Sequence, residues 1–232
     1  MRDAVLIFKK EWLTLVGSDR GLFVVHIVII LSWGILLALR SIMLPVSTMS
    51  GMSFDLIATF WYAAFSVIVA AMFSNTAFVS ERISGALEIL LTSGISRSGI
   101  LYGKTAFIFA MTVIVGGLCL AVANALQPLM NPSGITPANV LGGQGIAVYF
   151  GASFFSASSS AYFSILLPNP RILHFINLFM VMILIALYTV LMSFWLIPLY
   201  VLALFFALGG IVFTILAGRE FNSERIIKPI VL

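Results

Sequence analysis

The sequence predicts an all-α integral membrane protein. It has six transmembrane helices, an interfacial helix within residues 1–21, and a short charged helix between the second and third spans. Three observations carry this reading. Hydrophobic residues make up 62% of the 232-residue chain and charged residues only 9%, whereas a soluble domain carries roughly a quarter. Six apolar segments reach about 20 residues, the length that crosses a hydrocarbon core of roughly 30 Å at about 1.5 Å per residue. Lysines and arginines gather at alternate segment ends. With no water inside a bilayer, a lipid-facing backbone must satisfy its own polar groups, so the apolar segments are read as helices.

The spans are expected at residues 22–44, 54–79, 105–126, 143–167, 172–192 and 196–217, in one transmembrane domain covering 1–232. The first begins near Leu22 and is too long for the apolar region of a cleavable signal. The last two are separated by little more than Ser193–Trp195. Pro198, lacking an N–H, favours an early-helix position there, and a single re-entrant hairpin is the alternative. Arg2, Lys9, Lys10 and Arg20 precede the first span; Arg82, Arg97 and Lys104 lie between the second and third. Arg171 lies between the fourth and fifth, and Arg219, Arg225 and Lys228 follow the sixth. Only Arg40 falls towards the other side, and residues 45–53 and 127–142 hold no Lys or Arg. This asymmetry places both termini and residues 81–104 in the cytoplasm of a multi-pass protein of the cytoplasmic (inner) membrane. The net charge of +4 is spread over segment ends instead of forming a patch, which speaks for topology and against nucleic acid.

In the N-terminal stretch Val5, Phe8, Trp12 and Leu15 recur at helical spacing, with Lys9, Lys10, Glu11 and Thr14 mostly elsewhere. Such a helix lies at the headgroup level, anchored by Trp12, with Lys9 and Lys10 meeting anionic lipid; it is either a plain anchor or also part of a partner-docking surface. Asp19-Arg20-Gly21 then turns the chain into the bilayer.

Residues 81–104 form a charged, amphipathic island between two spans. Leu87, Leu90 and Leu91 stand at i, i+3 and i+4, while Glu81, Arg82, Ser84, Glu88 and Thr92 are polar. A short helix of this kind buries its leucines against another surface while its carboxylates find cations. That surface is either its own membrane or a partner. Gly94 is a stop signal, and Gly99 and Gly103 allow close backbone approach as the third span begins, with Lys104 at the interface.

The order Glu81-Arg82, Gly85, Leu87-Glu88, Leu90-Leu91-Thr92-Ser93, Ser96-Arg97, Ile100, Gly103-Lys104 resembles the signature of ABC-2-type transporter permeases. Lys10-Glu11, the six spans, Asn169-Pro170-Arg171 and the tail charges Arg219-Glu220 and Glu224-Arg225 agree with that resemblance. Gly94 stands where many members have proline, and Ser193–Pro198 leaves little room for the re-entrant helices many members carry. The resemblance implies a coupling helix that docks on a separate ABC ATPase subunit through Glu81, Arg82, Gly85, Leu87, Glu88, Leu90, Leu91 and Arg97. It also implies a dimer with a second permease copy or a paralogue. The chain has no G-x-x-x-x-G-K-[ST] loop to cradle phosphates. ATP and Mg would therefore bind the partner ATPase, and this chain would hold no cofactor and be no enzyme.

Other polar residues have structural readings. In the fourth span Gly143, Ala147 and Gly151, and Ala152, Ser156 and Ser160, recur four apart, a spacing that lets helices pack closely in lipid. A polar substrate path is the rarer alternative. Ser158 and Ser159 could equally bond their own helix carbonyls. Arg40 and Asp55 flank the first external loop as an ion pair, as snorkelling groups, or as a site for an anionic headgroup. Asn75 and Asn177 fit a path or interhelical hydrogen bonds. His26 and His174 lack a ligand pattern, so no metal is expected, and Cys119 reads as a buried small hydrophobe. The function expected is export of an amphiphilic cargo (a lipid, a lipid-linked molecule or a hydrophobic peptide) driven by the partner's ATP hydrolysis. The alternatives are a channel or ion-coupled carrier and an intramembrane enzyme.

Overall fold

The computed structural model describes residues 2–17, 21, 24–25, 27–29, 31–33, 35–36, 54–130, 143–167, 170–194 and 198–221. Among them there are helices and no strand. Helix α1 spans Arg2–Gly17, and the described residues between Gly21 and Leu36 are helical too. Helix α2, Phe54–Ser74, runs directly into a π-helical turn, Asn75–Ser80, and then into the single turn α3, Glu81–Ile83. After Ser84 and Gly85 comes α4, Ala86–Thr92, followed by α5, Arg97–Met130. Helices α6, Gly143–Leu166, α7, Pro170–Phe194, and α8, Leu199–Glu220, complete the described chain.

Three helical stretches among the described residues are long and apolar enough to cross a membrane: Ala63–Ile83, Arg97–Cys119 and Leu199–Glu220. Phe175–Leu191 is apolar and shorter. Helix α5 has 34 residues, about 50 Å at 1.5 Å per residue, well beyond a hydrocarbon core of roughly 30 Å. The third segment was expected at 105–126. The helix instead extends two turns further back to Arg97, because Ser96 and Asp3 cap it there.

Helix α6 is the centre of the bundle. It packs most extensively on α8 and also contacts α2, α5 and α7. Its small residues make this possible. A Cβ on Gly151 would lie 2.8 Å from the Ala203 carbonyl oxygen, and one on Gly210 of α8 would lie 2.5 Å from the Phe154 ring. Hydroxyls then bond across the seams: Ser74 to Ser164 at 2.6 Å, Ser66 to Ser156 at 3.3 Å, and Thr214 to Ser158 at 3.0 Å. Ser159 bonds its own helix at the Ser156 carbonyl, and Asn177 of α7 donates to Ser160 at 2.7 Å. The small-residue spacing of the fourth segment is thus used for close helix packing. Pro198 was expected at an early-helix position or a kink; it instead lies just outside α8 as its N-cap, in extended backbone conformation (φ −69°, ψ 151°).

Helix α1 packs along the first turns of α5 with a face rotated from the expected one. Ile7, Glu11 and Leu15 are buried, Phe8 is half-buried, and Val5 and Trp12 are exposed. The approach is close because α5 has glycine where α1 crosses. A Cβ on Gly99 would lie 2.5 Å from the Asp3 Cβ, and one on Gly103 would lie 2.6 Å from the Ala4 carbonyl oxygen. The Phe8 and Phe107 rings meet edge to face at 6.0 Å.

Gly103→Ala is expected to push α1 off α5 and destabilise the protein by about 1–3 kcal/mol, the usual range for overpacking. Gly117, with open space around it, provides the control. Denaturant unfolding in mixed micelles should show Gly117→Ala unchanged or slightly more stable.

Candidate functional site

The charged connection is built around Lys104. In a helix, residues three and four apart share a face. Gly99 and Gly103 therefore share the face of α5 that α1 crosses, and Lys104, next to Gly103, reaches both α1 and the turns that follow α2. The Lys104 side chain is fully buried (0% exposed). Its ammonium has three hydrogens to donate, and all three are used: to Glu11 Oε1 at 2.6 Å, the Ala77 carbonyl at 2.6 Å and Glu81 Oε2 at 2.7 Å. The Phe78 ring lies 5.7 Å away, within cation–π range. Lys10 completes the cluster, bonding Glu81 Oε1 and, at 3.2 Å, Glu11 Oε1. Two carboxylates thus bridge two ammonium groups, and the cluster carries no net charge.

The π-helical turn explains how Ala77 takes part. In a regular α-helix its carbonyl would accept the Glu81 N–H. Here the Glu81 N–H turns to the Phe78 carbonyl, and Ala77 presents its oxygen to Lys104. Single π turns of this sort are found often at functional sites. Burying an ammonium costs several kcal/mol unless charges and hydrogen bonds compensate it, and the cluster supplies both.

Lys10 lies at the outer edge of the cluster. Its partial burial opposes the charge, but the hydrogen bond from Lys10 to Glu81 and the charges of Glu11 and Glu81 outweigh it and raise the ammonium above its ordinary value. The bond therefore persists across the neutral range. On the alkaline side it weakens as pH climbs past 10.5 through the raised value.

Asp3 forms the second link between α1 and α5. Its carboxylate accepts the Ser96 hydroxyl at 2.6 Å and the Ser96 N–H at 3.0 Å. Ser96 in turn accepts the Gly99 N–H on its hydroxyl at 3.3 Å, capping α5. These hydrogen bonds, hydroxyl first, hold the Asp3 carboxyl below its ordinary value of 3.8.

The sequence-predicted docking residues divide into two groups. Glu81 faces inward and is committed to Lys104 and Lys10. Arg82 Nη1 donates to the Ile165 carbonyl at 3.3 Å, near the C-terminal end of α6, where a cation is favoured. Leu87 is buried (2% exposed), and Leu90 and Leu91 are partly buried against the same core. Gly85 adopts φ +74°, a left-handed conformation, and divides the expected Glu81–Thr92 helix into α3 and α4. Facing outward are Glu88, Arg97 and two isoleucines that the leucine periodicity did not single out, Ile83 (55% exposed) and Ile89 (70%). Gly94, at φ +79°, follows α4 as the predicted stop.

Of the expected anchors, Lys9 and Trp12 are exposed, while Lys10 joins the cluster. Arg40 and the Asp55 side chain lie outside the described residues, as does the His26 side chain. No group of three or more His, Cys, Asp or Glu suited to a metal occurs among the described residues. Sequence reasoning missed Glu11 and Lys104 as site residues. The signal available was Lys104, a base at the start of a long apolar segment with no acid near it in sequence. No family model matches the chain, and neither a curated protein nor a solved structure does.

Lys104→Met should leave Glu11 and Glu81 sharing Lys10 alone and destabilise the protein by about 3–5 kcal/mol, the cost of breaking a buried pair on one side, as read by unfolding in mixed micelles. A second expectation concerns acid. A depressed carboxyl stabilises fully above its ordinary value and loses that contribution as pH falls through the lower, folded value. Hydrogen-exchange protection at the Ser96 and Gly99 amides, corrected for intrinsic rates, should hold at pH 5 and fall below about 3.8. Asp3→Asn should abolish that pH dependence.

Proposed function

We propose that the chain is the membrane subunit of an ATP-driven exporter of the ABC-2 type, with the 81–104 connection on the cytoplasmic side as the docking point for a separate ATPase. The observation that carries this reading is the order of residues from Glu81 to Lys104, together with what that segment leaves exposed. Helices α3 and α4 present Ile83, Glu88 and Ile89 outward, while their leucines and Glu81 bind them to α2, α5 and α1. A docked ATPase would push on a segment already joined to two spans, and the motion would pass on as a rigid-body displacement. The chain would place six spans in the membrane, with both termini cytoplasmic, and would pair with a second copy or a paralogue. The uncharged external loops and apolar spans favour an amphiphilic cargo.

Buried Lys104 gives some support to a second reading, an ion-coupled carrier, since such proteins use buried ionisable groups. Its three hydrogens are all held by fixed partners, which favours a structural role.

The docking test is purification from native membranes. An ATPase should accompany the wild-type chain. Ile89→Asp should reduce its recovery at least about tenfold, as loss of an apolar anchor at an interface does, without altering the stability of the chain. Leu87→Asp should instead unfold the connection. Transport by reconstituted chain alone, without ATP, would contradict the exporter reading and favour the carrier.

A further inference from the structure

Helix α1 spends both of its carboxylates inward. Asp3 accepts from Ser96, and Glu11 accepts from Lys104 and Lys10. Its cations are distributed differently. Lys9 points away from α5, and among the described residues no carboxylate pairs with it. On the same outward face Val5, Leu6, Trp12, Leu13 and Val16 are exposed. The outer side of α1 is therefore both cationic and apolar, a combination that suits a membrane surface.

This side contains a groove of about 580 Å³, lined among the described residues by Leu6, Lys9, Lys10, Leu13, Thr14 and Gly17. The Thr14 hydroxyl donates to the Lys10 carbonyl at 3.0 Å, so the charged donors of the groove are Lys9 and Lys10. An uncharged apolar occupant would leave the Lys9 ammonium unused, since Lys10 already holds Glu81 and Glu11, and a free anion would leave Leu6 and Leu13 unused. An amphiphile with a phosphate beside its chains uses both.

We propose that this groove binds the headgroup phosphate of an anionic phospholipid, with the first acyl methylenes along Leu6 and Leu13. Lys10 is shared with Glu81, so the bound phosphate sits one side chain from the ion cluster and adds a negative charge at its edge. Among the described residues the site is lined by α1, and it is independent of whether the protein transports anything.

The test is native mass spectrometry of the full chain in detergent, supplied with equal phosphatidylglycerol and phosphatidylcholine. Wild type should retain phosphatidylglycerol preferentially. Lys9→Gln should reduce that preference about fivefold, the effect of one basic residue at an anionic surface, and Lys9→Glu should reduce it further. Arg219→Glu, an exposed charge on α8, should leave it unchanged, and excess inorganic phosphate or glycerol phosphate should not displace the lipid. Equal retention of the two lipids would overturn the proposal in favour of a plain apolar anchor. Displacement by inorganic phosphate would overturn it in favour of a free-anion site, and an Arg219→Glu loss matching Lys9→Glu would reduce it to diffuse charge. Lys9 is exposed, so a circular-dichroism spectrum like wild type is expected for both Lys9 variants, and an unchanged lipid preference in Lys9→Gln would by itself refute the site.

Discussion

A fully buried ammonium governs the charged end of this protein. Lys104 has no contact with solvent, and its charge is tolerable only if fixed acceptors replace the water it has lost. Those acceptors come from three places: Glu11 on α1, Glu81 at the end of the second long helix, and the Ala77 carbonyl released by a π turn. Each requirement constrains a whole element. Helix α1 must lie against α5 for Glu11 to reach. Helix α2 must extend past Ser74 to bring Glu81 into range, and its backbone must widen at Asn75–Ser80. One side chain thus specifies the mutual placement of segments more than 90 residues apart in sequence.

Glycine permits what the charge demands. Gly99 and Gly103 bring the α1 backbone against α5 at distances that a Cβ would forbid. Deeper in the bundle the same device recurs, where Gly151 faces Ala203 and Gly210 faces Phe154. Apolar burial does not drive helices together in lipid as it does in water. Close backbone contact and interhelical hydrogen bonds, here between Ser74 and Ser164 and between Asn177 and Ser160, supply the association. The seams of the bundle therefore carry scattered hydroxyl and amide bonds among buried apolar side chains, and its outer faces are apolar.

Much of this was legible in the sequence. Apolar run lengths anticipated the all-helical chain, the glycine spacing at 99 and 103 anticipated the close crossing, and Gly94 anticipated the end of α4. The face of α1 was not legible. Its apolar residues lie on most sides of the helix, so periodicity alone could not tell the protein-facing stripe, Ile7, Phe8 and Leu15, from the outward stripe, Val5, Leu13 and Val16. Nothing near Glu11 in sequence shows that it also reaches Lys104, 93 residues away. The connection misled in the opposite sense. Its leucines looked available for docking, yet Leu87 completes the chain's own core, and Gly85 breaks the helix where a continuous one was expected.

The division of labour in the connection bears on mechanism. In the exporter we propose, an inward side bonded to α1, α2 and α5 and an outward side of Ile83, Glu88 and Ile89 would let the connection receive force and pass it on without bending. That role depends on Lys104 and Glu11 acting as a coupled pair and not as neighbours by coincidence. The most direct measurement is a double-mutant cycle on unfolding stability with Glu11→Gln, Lys104→Met and both together. The account predicts a coupling energy of about 1–3 kcal/mol, the range for residues within one ion network. Additive single effects, with no coupling, would contradict it.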